Sequence, residues 1–142
     1  MYGDTLQLFE RTHLLRLLVW GAASVLAGTA LLAWLRVISR ESALLKHFAI
    51  MSAAWGVLDL VVGLILSTQL TIRDVAGATR LDRLLWLNIG LDAGYVLVGL
   101  TLVAIGWKIG RRLGLVGAGI AVVVQGFALA LLDLVLAAQI SR

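Results

Sequence analysis

The chain contains no cysteine and no proline. Without cysteine there is no disulfide and no thiolate metal site, and the redox compartment is left open. Without proline nothing forces a kink, which suits long uninterrupted helices. Charge is scarce as well. Only 14% of the residues are Asp, Glu, Lys or Arg, against roughly a quarter in an ordinary soluble domain. Catalytic signatures are missing: there is no HExxH, GxSxG, P-loop or paired-Cys motif. GAGIAVVVQG, at residues 117–126, contains no GxGxxG and follows no strand, which excludes a dinucleotide fingerprint. These absences argue against an enzyme, and no cofactor or metal is expected.

What is present is apolar. Hydrophobic residues make up 61% of the 142, and mean hydropathy is +1.01. A soluble chain of 15.2 kDa could not bury that much apolar surface, so its solvent is lipid. Four runs are long enough to cross a hydrocarbon core of about 30 Å at roughly 20 residues each. They cover about residues 17–35, 48–70, 86–107 and 113–138. In lipid the backbone must satisfy its own hydrogen bonds, and the period-2 alternation of a barrel is absent, so these are helices.

The connections are short and charged. Ser39 is the expected N-cap of the second helix, ahead of Glu41. Thr79 and Asp82 stand at capping-box spacing, which predicts that the third helix begins before the membrane. KIGRR is a tight turn between the third and fourth. Such links predict antiparallel neighbours: an all-α, integral membrane, up-down-up-down four-helix bundle in one transmembrane domain over residues 1–142. Trp34, Trp86 and Trp107 fall at the expected helix ends, as an aromatic belt would require. MYGDTLQLFERTHLLR carries Asp4 and Glu10 instead of a basic n-region, so no cleaved signal is expected. That stretch reads as an interfacial turn or an extension of the first helix.

A net charge of +4 and a pI near 10.4 do not indicate nucleic acid, because the cations sit between apolar runs and form no single basic face. Four spans place both termini on one side. That side holds Arg11, Arg16, Arg73, Arg80, Arg83 and Arg142; the other holds Arg36, Arg40, Lys46, Lys108, Arg111 and Arg112. The positive-inside count is tied, and the dense KIGRR loop is the better candidate for the cytoplasmic face.

Three carboxylates interrupt the spans: Asp59, Asp92 and Asp133. Each would cost about 3 kcal/mol at a bilayer centre, so each should face the bundle interior. Asn88, Asp92, Tyr95 and Gly99 share one face of the third helix, and Ser52, Gly56, Asp59 and Gly63 share one face of the second. Two readings follow. In one, each Asp is protonated or hydrogen-bonded to Asn88, Gln125, Tyr95 or the Trp55 indole and pins helix register. In the other, Asp59, Asp92, Asn88, Tyr95, Trp55 and Asp133 line a polar cavity that binds a ligand or a proton. No Lys or Arg lies deep in any span, so no intramembrane salt bridge is expected. His13 and His47 fall at opposite faces, read as interfacial histidines, and cannot share a metal. Trp20 and Trp55, within spans, read as packing residues. Ser24/Gly28, Gly90/Gly94 and Gly117/Ala121 have small-xxx-small spacing, more contact surface than one bundle needs, which points to a homo-oligomer.

WGVLD at 55–59 and NIGLDAGY at 88–95 resemble the motifs W-G-x-[ILV]-[DN] and N-x-x-L-D-x-x-Y of a family of uncharacterised small bacterial four-span membrane proteins. The resemblance covers most of the chain, spans two to four best. It implies a multi-pass protein of the bacterial inner (plasma) membrane and points to Trp55, Asp59, Asn88, Asp92 and Tyr95. It implies no activity. The first span lacks the acidic residue of small multidrug exporters, and the Gly-Gly and Asn pattern of fluoride channels is absent. The function expected is ligand binding or proton- or cation-linked transport at the acidic cluster. The alternative is a non-catalytic accessory subunit of a larger membrane complex. The expected partners are the lipid bilayer and a second copy or a partner membrane subunit.

Overall fold

In the computed structural model, residues 2–140 are described, and they form four helices and no strand among them. These are α1 (Tyr2–Val37), α2 (Ala43–Ser67), α3 (Val75–Lys108) and α4 (Leu113–Ile140). All four are long and apolar enough to cross a membrane. Arg142, counted above among the basic residues, lies outside the described residues.

The helix limits differ from the expected ones mainly at the end that carries the termini. At 1.5 Å per residue α1 is about 54 Å long and α3 about 51 Å, so both overshoot a core of about 30 Å. The N-terminal stretch is therefore helix, continuous with the first span. The caps differ too. Ser42, not Ser39, caps α2, its hydroxyl accepting from the Leu45 amide at 3.3 Å. Ser39 instead sits in the turn with φ 49°. Asp74 caps α3 and accepts from the Gly77 amide at 2.7 Å, while Thr79 donates back to the Val75 carbonyl inside the helix. Asp74 stands in extended backbone just before the first turn, where its carboxylate accepts a free amide and complements the helix dipole. Trp86 consequently lies three turns into α3, whereas Trp34 and Trp107 do stand near helix ends.

Burial is inverted relative to a soluble bundle. The buried positions of α3 are Ala78, Leu85, Asp92, Gly99 and Gly106, every seventh residue. Those of α2 are Ala49, Ser52, Gly56, Asp59 and Gly63. Leu, Ile and Val point outward over most of the surface. A seven-residue repeat of small side chains lets straight-sided helices approach along one seam with a slight left-handed crossing. Gly21 lies against Gly56 and Gly28 against Ala49, so α1 and α2 run antiparallel. Gly99 against Gly119 and Gly126 against Val96 make the same statement for α3 and α4. A Cβ at Gly117 would collide with the Leu44 backbone, which fixes the close approach of α4 to α2.

The helix neighbours are not simply the consecutive ones. α4 packs on α3, on α2 and more lightly on α1, while α2 and α3 form no comparable seam although a short loop joins them. A seven-residue link can carry the chain past an intervening helix, so loop length alone does not dictate pairing. Half-buried Thr12 and exposed Thr29 and Thr101 each donate to the carbonyl one turn back. That keeps their hydroxyls satisfied on surfaces facing hydrocarbon.

Candidate functional site

Because α2 and α3 stand apart, a cleft opens between them, closed behind by α1 and α4. It encloses a cavity of about 200 Å³. All six residues singled out above border it: Asp59 and Trp55 from α2, Asn88, Asp92 and Tyr95 from α3, and Asp133 from α4. α2 begins and ends earlier than expected, which moves Asp59 one turn toward the terminus side of that helix and toward Asp92 and Asp133. Asp92 is near enough to interact electrostatically with both other carboxylates.

The three Asp residues are buried, at 5%, 5% and 9% relative exposure. Asn88 and Tyr95 are not: both are exposed and flank the mouth of the cleft. This corrects the expectation of a buried Asn88–Asp92–Tyr95 stripe. The heptad register of α3 centres burial on Asp92 and Gly99, and rotates residues 88 and 95 toward its edges. Tyr95 spans the cleft to Trp55, with ring centroids 5.1 Å apart and planes at 64°. Edge-to-face rings of this kind hold two helices together without closing the space beneath them.

Among the described residues, the expected hydrogen bonds from Asn88, Gln125, Tyr95 or Trp55 to the carboxylates do not form. Asp59 Oδ2 is fully buried without a hydrogen-bond partner. Asp133 Oδ1 lies 3.3 Å from His13 Nε2, so His13 is part of the cavity wall and not an isolated interfacial residue. The continuation of α1 down to Tyr2 is what carries His13 to that depth. Among the described residues no Lys or Arg borders the cavity, and no three His, Asp or Glu side chains converge closely enough to hold a metal ion.

Two further polar systems escaped sequence reasoning. Gln125, 2% exposed, accepts from the Trp20 indole at 2.6 Å and donates to the Ser24 hydroxyl at 3.0 Å. It ties α1 to α4 one helical turn or more above the acidic cavity. The signal available was the Ser24/Gly28 spacing, which showed that Ser24 faces a neighbour but not which one. At the terminus end, Glu10 is buried in α1 and accepts from Arg73 at 2.7 and 3.0 Å. Those bonds hold the Arg73 guanidinium above its already high ordinary value. The first helix thus does hold a buried acidic residue, but a cation in the α2–α3 loop already neutralises it.

A family of unknown function, DUF6992, matches residues 16–134 of the chain. The chain belongs to that family. Its span takes in the core of all four helices and every residue of the acidic cavity except His13. No curated protein and no solved structure matches the chain.

Proposed function

We propose that this family member is a multi-pass protein of the bacterial inner membrane whose acidic cavity binds and releases a proton in the course of transport. One observation carries the reading: three buried carboxylates border a single cavity that no Lys or Arg enters, and one of them, Asp59, keeps a buried oxygen without a partner. A purely structural carboxylate would be expected to have recruited a donor, since an unsatisfied buried polar atom costs about 1–3 kcal/mol. Ionisable residues inside membrane spans mark proton and ion pathways when they face a polar cavity. The volume favours a proton and its waters over an organic ligand, because pockets for drug-sized molecules run from about 300 to 1,000 Å³. The absence of a chelating cluster favours a proton over a multivalent metal. His13, beside Asp133, adds a second group able to pass a proton toward the terminus side.

The alternative is an accessory subunit, and one observation favours it. Gly28 and Gly117 are used inside the bundle, but a Cβ at Gly90 or Gly94 would meet nothing within 4 Å, so that face of α3 is open to another helix. The two readings separate in proteoliposomes loaded with a pH-sensitive dye. Under the transport reading an imposed pH gradient collapses faster with protein than without, and Asp59→Asn or Asp92→Asn removes the difference. Equal rates for empty vesicles, wild type and both variants would leave only the accessory role.

A further inference from the structure

A second cavity, of about 640 Å³, lies at the opposite end of the bundle, where α1 turns into α2. Its rim carries Arg36, Arg40, Lys46 and His47. Among the described residues none of the three cations forms an ion pair, and Glu41 is the only acidic residue on that rim. His47 uses Nδ1 against the Ala43 carbonyl at 2.8 Å, which leaves Nε2 as the ring's remaining nitrogen. Ala43 also borders the cavity and opens α2, so its amide belongs to the first turn, where backbone donors have no partner within the helix. Three unneutralised cations and a helix N-terminus around one space make a positive site that suits a phosphate, the Arg side chains offering two-pronged hydrogen bonds.

The lower wall says which phosphate. Leu32 lies one turn deeper than Arg36, and Ile50 one turn deeper than Lys46; both border the same cavity, and Ile50 is 45% exposed. Trp34, half exposed at the same level, marks the polar–apolar boundary of the bilayer. A soluble anion would fill the basic rim and leave the apolar wall bare. A lipid fills both, headgroup above and acyl chain below. We propose that this cleft seats one anionic phospholipid, its phosphate held by Arg36, Arg40 and Lys46 and its first acyl carbons lying on Leu32 and Ile50. The site is independent of the acidic cavity, and it assigns the α1–α2 turn to an anionic leaflet, consistent with the cytoplasmic face for this end.

The test uses the full-length protein purified in mild detergent and examined by native mass spectrometry with added phosphatidylglycerol or phosphatidylcholine. One phosphatidylglycerol should remain bound under activation that strips phosphatidylcholine. Its apparent affinity should fall at least fivefold in Arg36→Gln/Arg40→Gln/Lys46→Gln. Lys108→Gln/Arg111→Gln/Arg112→Gln, which removes as much charge from the same membrane face at residues that do not border the cleft, should bind like wild type. Equal loss in both triple variants would overturn the proposal in favour of general surface charge. Displacement of the lipid by millimolar inorganic phosphate would overturn it in favour of a soluble anion. Should the first triple variant fail to fold, judged by circular dichroism and gel filtration, the single changes Arg36→Gln and Arg40→Gln take its place. The wild-type contrast between the two lipids stands without any variant, and indifference to headgroup refutes the site.

Discussion

Two polar islands lie inside the same apolar bundle and are built in opposite ways. Around Gln125 every polar group has a partner: the Trp20 indole donates to it and it donates to Ser24. Around Asp59, Asp92 and Asp133 there is a cavity, three acceptors and, among the described residues, a single close partner, His13. The first island has the construction of a lock, since a fully satisfied network in low dielectric specifies one packing. The second is a cavity bordered by carboxylates, one of which keeps a buried oxygen without a partner, and under the proposed function it is a site. Neighbouring seams explain how both persist. α1–α2 and α3–α4 are zipped by small residues along their length, whereas α2 and α3 are left apart, and only the second island lies in that gap.

The comparison can be broken at either island. The largest effect is expected from Asp59→Asn and Asp92→Asn, which keep volume and remove the titrating group. Proton flux in proteoliposomes should fall at least tenfold, on the general scale of removing an essential acid–base group. The thermal unfolding midpoint should change little or rise. A fall in midpoint with flux intact would turn this island into a second lock.

Gln125→Leu should do the reverse. It orphans the Trp20 indole and the Ser24 hydroxyl, costing about 1–2 kcal/mol. Thermal unfolding in detergent would read this as a drop of several degrees, with flux per folded molecule preserved. Adding Trp20→Phe and Ser24→Ala should recover part of the loss, because removing all partners leaves no orphan. Strict additivity would contradict the network. Smaller again is Glu10→Gln, which loosens the tie between α1 and the α2–α3 loop at the terminus end. About 1 kcal/mol is expected, and hydrogen exchange should accelerate in residues 2–12 and 69–76 before the rest. The smallest effect belongs to Gly90→Ala, within about 0.5 kcal/mol of wild type, since its Cβ meets open space. A change in oligomer mass on that substitution would instead identify the α3 face as an interface.

Much of the architecture is legible in the residues alone, for a physical reason. Lipid demands about 20 apolar residues per helix and forbids unpaired backbone, so four spans could be counted. Periodicity likewise placed Asp59 with Gly56 and Gly63 on one face, because the pattern belongs to a single helix. What a single-helix pattern cannot contain is the identity of the facing helix. That is why the pattern alone does not pair Gln125 with Trp20, predicts α2 and α3 as neighbours, and sets Asn88 and Tyr95 on the same face as Asp92. The contacts of His13 and Glu10 are hidden from the pattern because α1 extends past the apolar run, and hydropathy marks where lipid begins, not where a helix does. The caps differ on a smaller scale, where several Ser, Thr and Asp side chains compete for the same free amides and Ser42 and Asp74 are the ones in extended backbone.

The contrast between lock and site turns on whether the Asp59 carboxyl exchanges protons with water. Treating the protein in native membranes with dicyclohexylcarbodiimide, which reacts with protonated buried carboxyl groups, and locating the adduct by peptide mass spectrometry asks this directly. Modification at Asp59 or Asp92 that slows as pH rises is the result expected of a proton site. No modification at any pH, with both residues recovered intact, would contradict it.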